Sequence, residues 1–237
     1  MSESTDAGTR ERERILEVYA RRDAEAGDMY APWRDDEFFM RTGRRRVAVR
    51  LLADAGVFPK AGDPCLEVGF GSLGWLGELI SWGVRETELH GIELDPRRVR
   101  KGREILPGAD LRLGDAANMP WPDGTFRLAI ASTVFTSILD ASVRQLVARE
   151  IVRGLAPGGA LLWYDFAVNN PRNANVRRVD RRELRVLFPE LSGEVRSVTL
   201  APPLARWIVP RSWVAATLLE ALPPLRTHLL GVMLKNK

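Results

Sequence analysis

From Cys65 to Phe166 the chain alternates short apolar runs with segments of helical period. Cys65–Gly69, Glu88–Glu93, Ala109–Leu113, Phe126–Ser132 and Ala160–Phe166 read as strands. Leu73–Trp82, Pro96–Ile105 and Ala141–Leu155 carry apolar residues three and four positions apart and read as helices. Strands this uniformly apolar suit a sheet covered on both faces, and regular strand–helix alternation predicts parallel, doubly wound α/β architecture.

The flanks follow other rhythms. Residues 1–8 read as a flexible tail. From Thr9 to Ala26 the chain is mostly charged, with Ile15, Leu16, Val18 and Tyr19 as a narrow apolar stripe, which predicts a surface helix laid on a larger body. Asp35 to Ala55 is a second helical stretch, and Gly43 in its middle predicts a bend or two shorter helices. Beyond Phe166, Asn169-Asn170-Pro171-Arg172 is a turn-forming loop and Asp180–Phe188 a short helix. Glu194–Leu200 alternates as a strand. Arg211–Leu222 is a mostly apolar helix with Ser212 as its cap, bounded by Pro210 and Pro223-Pro224. Arg226–Leu234 is the last strand, and the final two strands form an antiparallel hairpin at one sheet edge. The expected fold is a mostly parallel seven-stranded, Rossmann-like α/β sheet with an antiparallel last strand. Residues 1–62 form a tail and N-terminal helical cap, and residues 63–237 form one structural unit.

Composition narrows the class. With 45% hydrophobic residues among 237, there is ample material for a core. No apolar run reaches the roughly 18–20 residues that span a bilayer, and the first ten residues lack an apolar signal core. Cys65 is the only cysteine and there are two histidines, which excludes an internal disulfide and a cysteine zinc cluster. A cytoplasmic, metal-independent protein is expected. The net charge of +4 and a pI near 9.6 allow nucleic acid or an anionic membrane surface as partner. That excess is small for the length, so a nucleic-acid partner is not expected from charge.

The chemistry concentrates in Cys65-Leu66-Glu67-Val68-Gly69-Phe70-Gly71-Ser72-Leu73-Gly74, where a strand runs into a glycine-rich turn and then a helix. Glycines serve where the backbone turns sharply and approaches a ligand closely, and the helix start presents unpaired N–H groups. Gly69-x-Gly71-x-x-Gly74 fits a dinucleotide fingerprint, and Glu93 lies 22 residues beyond Gly71, where an acid accepts from a ribose diol. Nicotinamide and adenosyl ligands both carry that diol, so these two elements leave the choice open.

Two further segments change the picture. Gly114-Asp115-Ala116-Ala117-Asn118-Met119-Pro120-Trp121-Pro122-Asp123-Gly124-Thr125-Phe126 follows the third strand, and Leu155-Ala156-Pro157-Gly158-Gly159 precedes the fifth. From Asp63 to Phe166 the chain resembles the class I S-adenosylmethionine-dependent methyltransferases, type 11-like. The resemblance implies S-adenosyl-L-methionine as cofactor and S-adenosyl-L-homocysteine as product. It implies that Glu67 meets the methionine amino group, that Gly69, Phe70 and Gly71 pass under the amino acid and ribose, and that Glu93 takes the ribose hydroxyls. Leu94 would pack beside the adenine, Asp115 would accept from its amine, and the Ala116 N–H would reach its ring. Ser132 would sit near the reacting methyl. The chain departs from the family at Leu73, where a glycine is usual and Gly74 follows one place later, and at Arg127, where an aspartate is favoured.

The acceptor side is less defined. Asp165 ends a strand and His228 opens the last one; each is a candidate general base or a structural residue. Asn169, Asn170, Arg172 and Phe135 are candidate substrate contacts. Arg44-Arg45-Arg46 reads as a solvated face, with an anionic-substrate contact as the alternative, and Cys65 and His90 read as core residues. The tail also resembles methyltransferases of bacterial glycan or secondary-metabolite pathways. The expected reaction is methyl transfer to a small-molecule or glycan acceptor, at oxygen. An RNA methyltransferase and an inactive adenosyl-binding module are the competing readings, and a homodimer is left open.

Overall fold

The computed structural model describes residues 2–25, 27–170 and 173–236. Seven strands form one sheet: β1 (Cys65–Val68), β2 (Leu89–Glu93), β3 (Asp110–Leu113), β4 (Phe126–Ser132), β5 (Leu155–Phe166), β6 (Leu191–Leu200) and β7 (Arg226–Lys235). Their order is β3-β2-β1-β4-β5-β7-β6. The first five run parallel, and β7 lies antiparallel between β5 and β6. The expected architecture is therefore present, with the late hairpin at one edge.

Among the described residues eight α-helices accompany the sheet: α1 (Ser2–Glu25), α2 (Asp35–Asp54), α3 (Gly74–Ser81), α4 (Pro96–Ile105), α5 (Ala141–Gly154), α6 (Arg181–Leu187), α7 (Pro202–Ile208) and α8 (Trp213–Glu220). Their starts are written in the sequence. Asp95, Asp140 and Asp180 each accept a hydrogen bond from a backbone N–H of the first turn of α4, α5 and α6, and Ser212 does so for α8. One apolar layer packs Leu51, Leu52, Trp75, Leu79 and Val99 from α2, α3 and α4 against one face of the sheet. The other packs Val147, Ile151, Leu184 and Phe188 from α5 and the α6 region, with Ile15 of α1, against the opposite face.

Four expectations change. The stretch read as a flexible tail continues α1, which runs from Ser2. α2 passes through Gly43 as one helix; a Cβ there would stand 3.3 Å from the Glu220 carboxylate, so the glycine admits the end of α8. β5 begins at Leu155 and carries Pro157-Gly158-Gly159 within it, its register against β4 shifting between Phe126 and Leu128 as at a bulge. Gly159 is needed there, since a Cβ would lie 2.9 Å from the Phe126 carbonyl oxygen. α7 was not expected, although two prolines open it, where their missing N–H is harmless.

Candidate active site

Parallel strands bring their carboxyl ends to one edge of the sheet, where open α/β sheets bind ligands. β1 delivers Glu67 and then turns through Gly69 (φ 65°) and Gly71 (φ 50°). Leu73 holds the third left-handed position at φ 63°, where a glycine would be unstrained. Its side chain offsets the strain by burial beside Gly102. Gly74 has no left-handed backbone and opens α3, so the third left-handed position of the turn falls to Leu73. The Phe70 ring fills the space that Gly91 leaves, where a Cβ would stand 2.5 Å from it.

Three acids lie along this edge. Glu67 is buried, accepts from the Leu76 N–H at 3.0 Å, and has its carboxyl pushed up to about 8 by burial. The Arg44 guanidinium acts in the opposite sense on it. Glu93 accepts from Gly71 N–H at 2.9 Å through one oxygen, and from Leu94 and Asp95 N–H through the other. Asp115 accepts from Ala117 N–H at 2.9 Å and pairs with Arg12 of α1 at 3.4 Å. Leu94 and Ala116 are half-buried beside them. Ser132 ends β4 half-buried, and its carbonyl accepts from Thr133, whose φ is 58°.

α1 lies across the same edge. Glu11 accepts from the Leu139 N–H, Arg14 donates to the Ser137 carbonyl, and Ile15 is buried. Arg98 at the start of α4 pairs with Asp23 and lies over the Tyr19 ring at 4.8 Å. Between α1 and the Asn173–Val176 loop remains a cavity of about 40 Å³, far below the several hundred cubic ångströms that small-molecule sites occupy.

On the α2 side of the edge stands a residue whose role the sequence concealed. Arg44 lies 5.5 Å from the Trp75 ring and 5.2 Å from the Tyr164 ring. Its Nε and the Trp75 Nε1 are buried donors without a partner. Arginine in a run of three carries no signal that separates it from Arg45, which pairs with Glu78, or from exposed Arg46; only the packing of α2 on the sheet singles it out. A buried acid that wants a cation, beside two donors that want an anion, fits the ammonium and carboxylate of an α-amino-acid group.

The acceptor-side expectations need correction. Asp165 and His228 lie on opposite faces of the sheet, because Asp165 follows the Trp163 side of β5 while His228 stacks on Tyr164 at 4.9 Å. Asp165 is fully buried and accepts from Phe135 N–H at 3.0 Å, from Thr136 N–H and from the Thr136 hydroxyl. Its carboxyl is pushed up to about 7 by burial, and it holds the turn at Phe135–Ser137 in place. His228 is buried, hydrogen-bonded to the Thr227 hydroxyl through Nδ1, and lowered to about 3 by burial and then by Arg44. It is neutral at physiological pH and a poor proton acceptor. Phe135 is a core residue against Phe188, not a substrate wall. Asn169 and Asn170 are exposed at the end of β5, and the Asn169 side chain accepts from Arg178 N–H. Arg172 lies outside the described residues.

Comparison with known proteins bears on the family and the fold. Residues 65–159 match the family described as a methyltransferase domain. Norajmaline N-methyltransferase of Rauvolfia serpentina is 23% identical over 70% of this chain and 60% of its own length. The phthiotriol/phenolphthiotriol dimycocerosates methyltransferase of Mycobacterium tuberculosis is 32% identical over 46% of this chain and 40% of its own. The chain thus matches less than two thirds of the length of these relatives. A Burkholderia thailandensis 1,6-didemethyltoxoflavin-N1-methyltransferase, solved with that compound and S-adenosylhomocysteine, superposes with a TM-score of 0.64. It shares 13% identity, over 94% of this chain and 88% of the other, and attests the fold.

Proposed function

We propose that this chain, whose residues 65–159 are a class I S-adenosylmethionine-dependent methyltransferase domain, methylates a small-molecule or sugar acceptor in the cytoplasm. The observation that carries the cofactor site is the meeting of Glu67, Arg44 and Trp75. Glu67 would hold the methionine ammonium, and Arg44 with Trp75 Nε1 its carboxylate. Glu93 would exchange its backbone partners for the ribose hydroxyls, and Asp115 would exchange Arg12 for the adenine amine. When bound, the cofactor supplies a methyl group on a sulfonium. The chain's task is to align an acceptor with it, an effect worth several kcal/mol or more, and α1 excludes water from the edge.

The reading of the acceptor atom turns on the two candidate bases, Asp165 and His228. Asp165 is engaged by three donors and His228 stays neutral, so neither supports removal of a proton from an ordinary alcohol. We therefore read a small-molecule acceptor with an acidic hydroxyl, ionised before it enters, as better supported than a sugar, whose hydroxyls are ordinary alcohols. The same observation favours an amine as the second reading, since a neutral amine needs no base before attack.

Calorimetric titration of S-adenosylhomocysteine into the wild type and Glu93→Ala, with NADH as control, tests the cofactor site. Binding that weakens by about 1–3 kcal/mol in the variant, as for lost buried hydrogen bonds, is expected. NADH binding without adenosyl binding would overturn the reading.

A further inference from the structure

The sheet ends in two edge strands, β3 and β6. β3 is four residues long, whereas β6 is ten and pairs with β7 on one side alone. A strand so placed turns alternate N–H and C=O groups away from the sheet, a template for another strand. The Val195 carbonyl accepts from Arg181 at 2.7 Å and the Ser197 carbonyl from Arg226 at 3.1 Å, which marks the odd-numbered residues here as the outward set. An arginine satisfies such a carbonyl but not the N–H that points the same way.

Edge strands are commonly guarded by charge of one sign, which repels a second copy. β6 instead carries one acid and one base, Glu194 and Arg196, two positions apart and so on the same face of the strand. Their side chains are 56% and 41% exposed and meet at 2.6 Å. The charges around the strand balance: Arg181, Arg226 and Lys235 stand against Asp54, Glu190 and Glu220. Bulk charge therefore selects no partner. Position does.

A two-fold contact requires each residue to find its complement in the same strand. Antiparallel pairing of two β6 strands with the axis at Glu194 sets glutamate opposite glutamate, and with the axis at Arg196 it sets arginine opposite arginine. With the axis at Val195, each Glu194 stands opposite Arg196 of the other copy, and four charges of alternating sign share one face. Opposite charges directly across a strand pair stabilise it, and like charges destabilise it. In that register the outward groups of Val195 bond to Val195 of the second copy, and those of Gly193 to Ser197. Arg181 and Arg226 give up their carbonyls to the new ladder.

We propose that β6 pairs antiparallel with β6 of a second copy about a two-fold axis at Val195, joining the two sheets edge to edge. Glu67 and Glu93 stand on β1 and β2 and Asp115 follows β3, with β4, β5 and β7 between them and this edge. The contact therefore leaves the candidate active site clear, and it holds whether or not the reading of the reaction does.

Sedimentation equilibrium of the full-length protein, at concentrations from about 1 to 100 μM, reads the association. A concentration-dependent dimer is expected. Glu194→Arg and, separately, Arg196→Glu should each weaken it about ten-fold or more, because the two-fold axis makes every substitution count twice. The double reversal, Glu194→Arg with Arg196→Glu, should restore the wild-type dimer, while melting temperature and S-adenosylhomocysteine affinity stay close to wild type in all three variants. A protein that is monomeric across the range overturns the proposal. A dimer that survives both single reversals is held by another surface and overturns it too. So does a dimer that a folded double reversal fails to restore.

Discussion

Arg12 of α1 reaches to 3.4 Å from the Asp115 carboxylate, whose other oxygen already accepts from the Ala117 N–H. Each oxygen of the carboxylate assigned to the adenine amine thus already has a protein partner. Docking of α1 and occupancy of the cofactor site then compete for one carboxylate. The pair is partly exposed, and such pairs are worth about 0.2–1 kcal/mol. Arg12→Ala should raise S-adenosylhomocysteine affinity by roughly two- to five-fold, measured by calorimetry. Unchanged or weaker binding would mean that Arg12 is no competitor.

Glu67 makes the stability of the ligand-free protein depend on pH. Its carboxyl rises from an ordinary 4.5 to about 8 through burial. Between those values the folded protein keeps a proton that the unfolded chain releases, so stability falls as pH climbs from 4.5 to 8. Asp165, raised to about 7, adds to the same trend at its lower end. Glu67→Gln should flatten the upper part of the slope in urea melts at pH 5.5 and pH 8 while weakening adenosyl binding about ten-fold or more, since a buried charge partner is lost. In the wild type, binding at pH 7 should release protons, seen as a buffer-dependent heat. A slope unchanged in Glu67→Gln would contradict the shift.

Asp165 is tied to the turn that follows β4, and its replacement should be read in stability rather than in chemistry. Asp165→Ala leaves the Phe135 and Thr136 donors buried without their acceptor, which costs about 1–3 kcal/mol for such groups. Thermal melting should show that loss, and kcat at a temperature where the variant stays folded should hold. A fall in kcat of a hundred-fold or more, without loss of folding, would restore Asp165 as a proton carrier.

The sheet was legible because its strands are apolar on both faces and its turns carry glycine, proline and aspartate where backbone geometry demands them. Of the acids, Glu93 was legible from its place at a strand end 22 residues beyond Gly71, whereas Glu67 and Asp115 were singled out only through the family resemblance. Arg44 was not, since a run of arginines looks alike until α2 is laid on Trp75 and Tyr164. The opposite faces of Asp165 and His228 depend on the register of β5 against β7, a long-range pairing that local patterning does not encode. α1 gave a correct apolar stripe, but its seat across the strand ends comes from Glu11, Arg12 and Arg14 finding partners far along the chain.

Leu73 sets two effects of opposite sign against each other. Its left-handed backbone, φ 63°, costs on the order of 1–2 kcal/mol for a residue with a Cβ. Its side chain is 9% exposed and packs against the α3–α4 layer, and emptying such a site costs about 2–5 kcal/mol. Leu73→Gly relieves the first and forfeits the second, so the loss of packing wins. The variant should be less stable by roughly 1–3 kcal/mol, measured by urea unfolding. Leu73→Ala keeps most of the strain and loses the same packing, so it should be less stable still. The order wild type, Leu73→Gly, Leu73→Ala is the decisive result: an alanine variant more stable than the glycine one would show that the turn carries no left-handed strain.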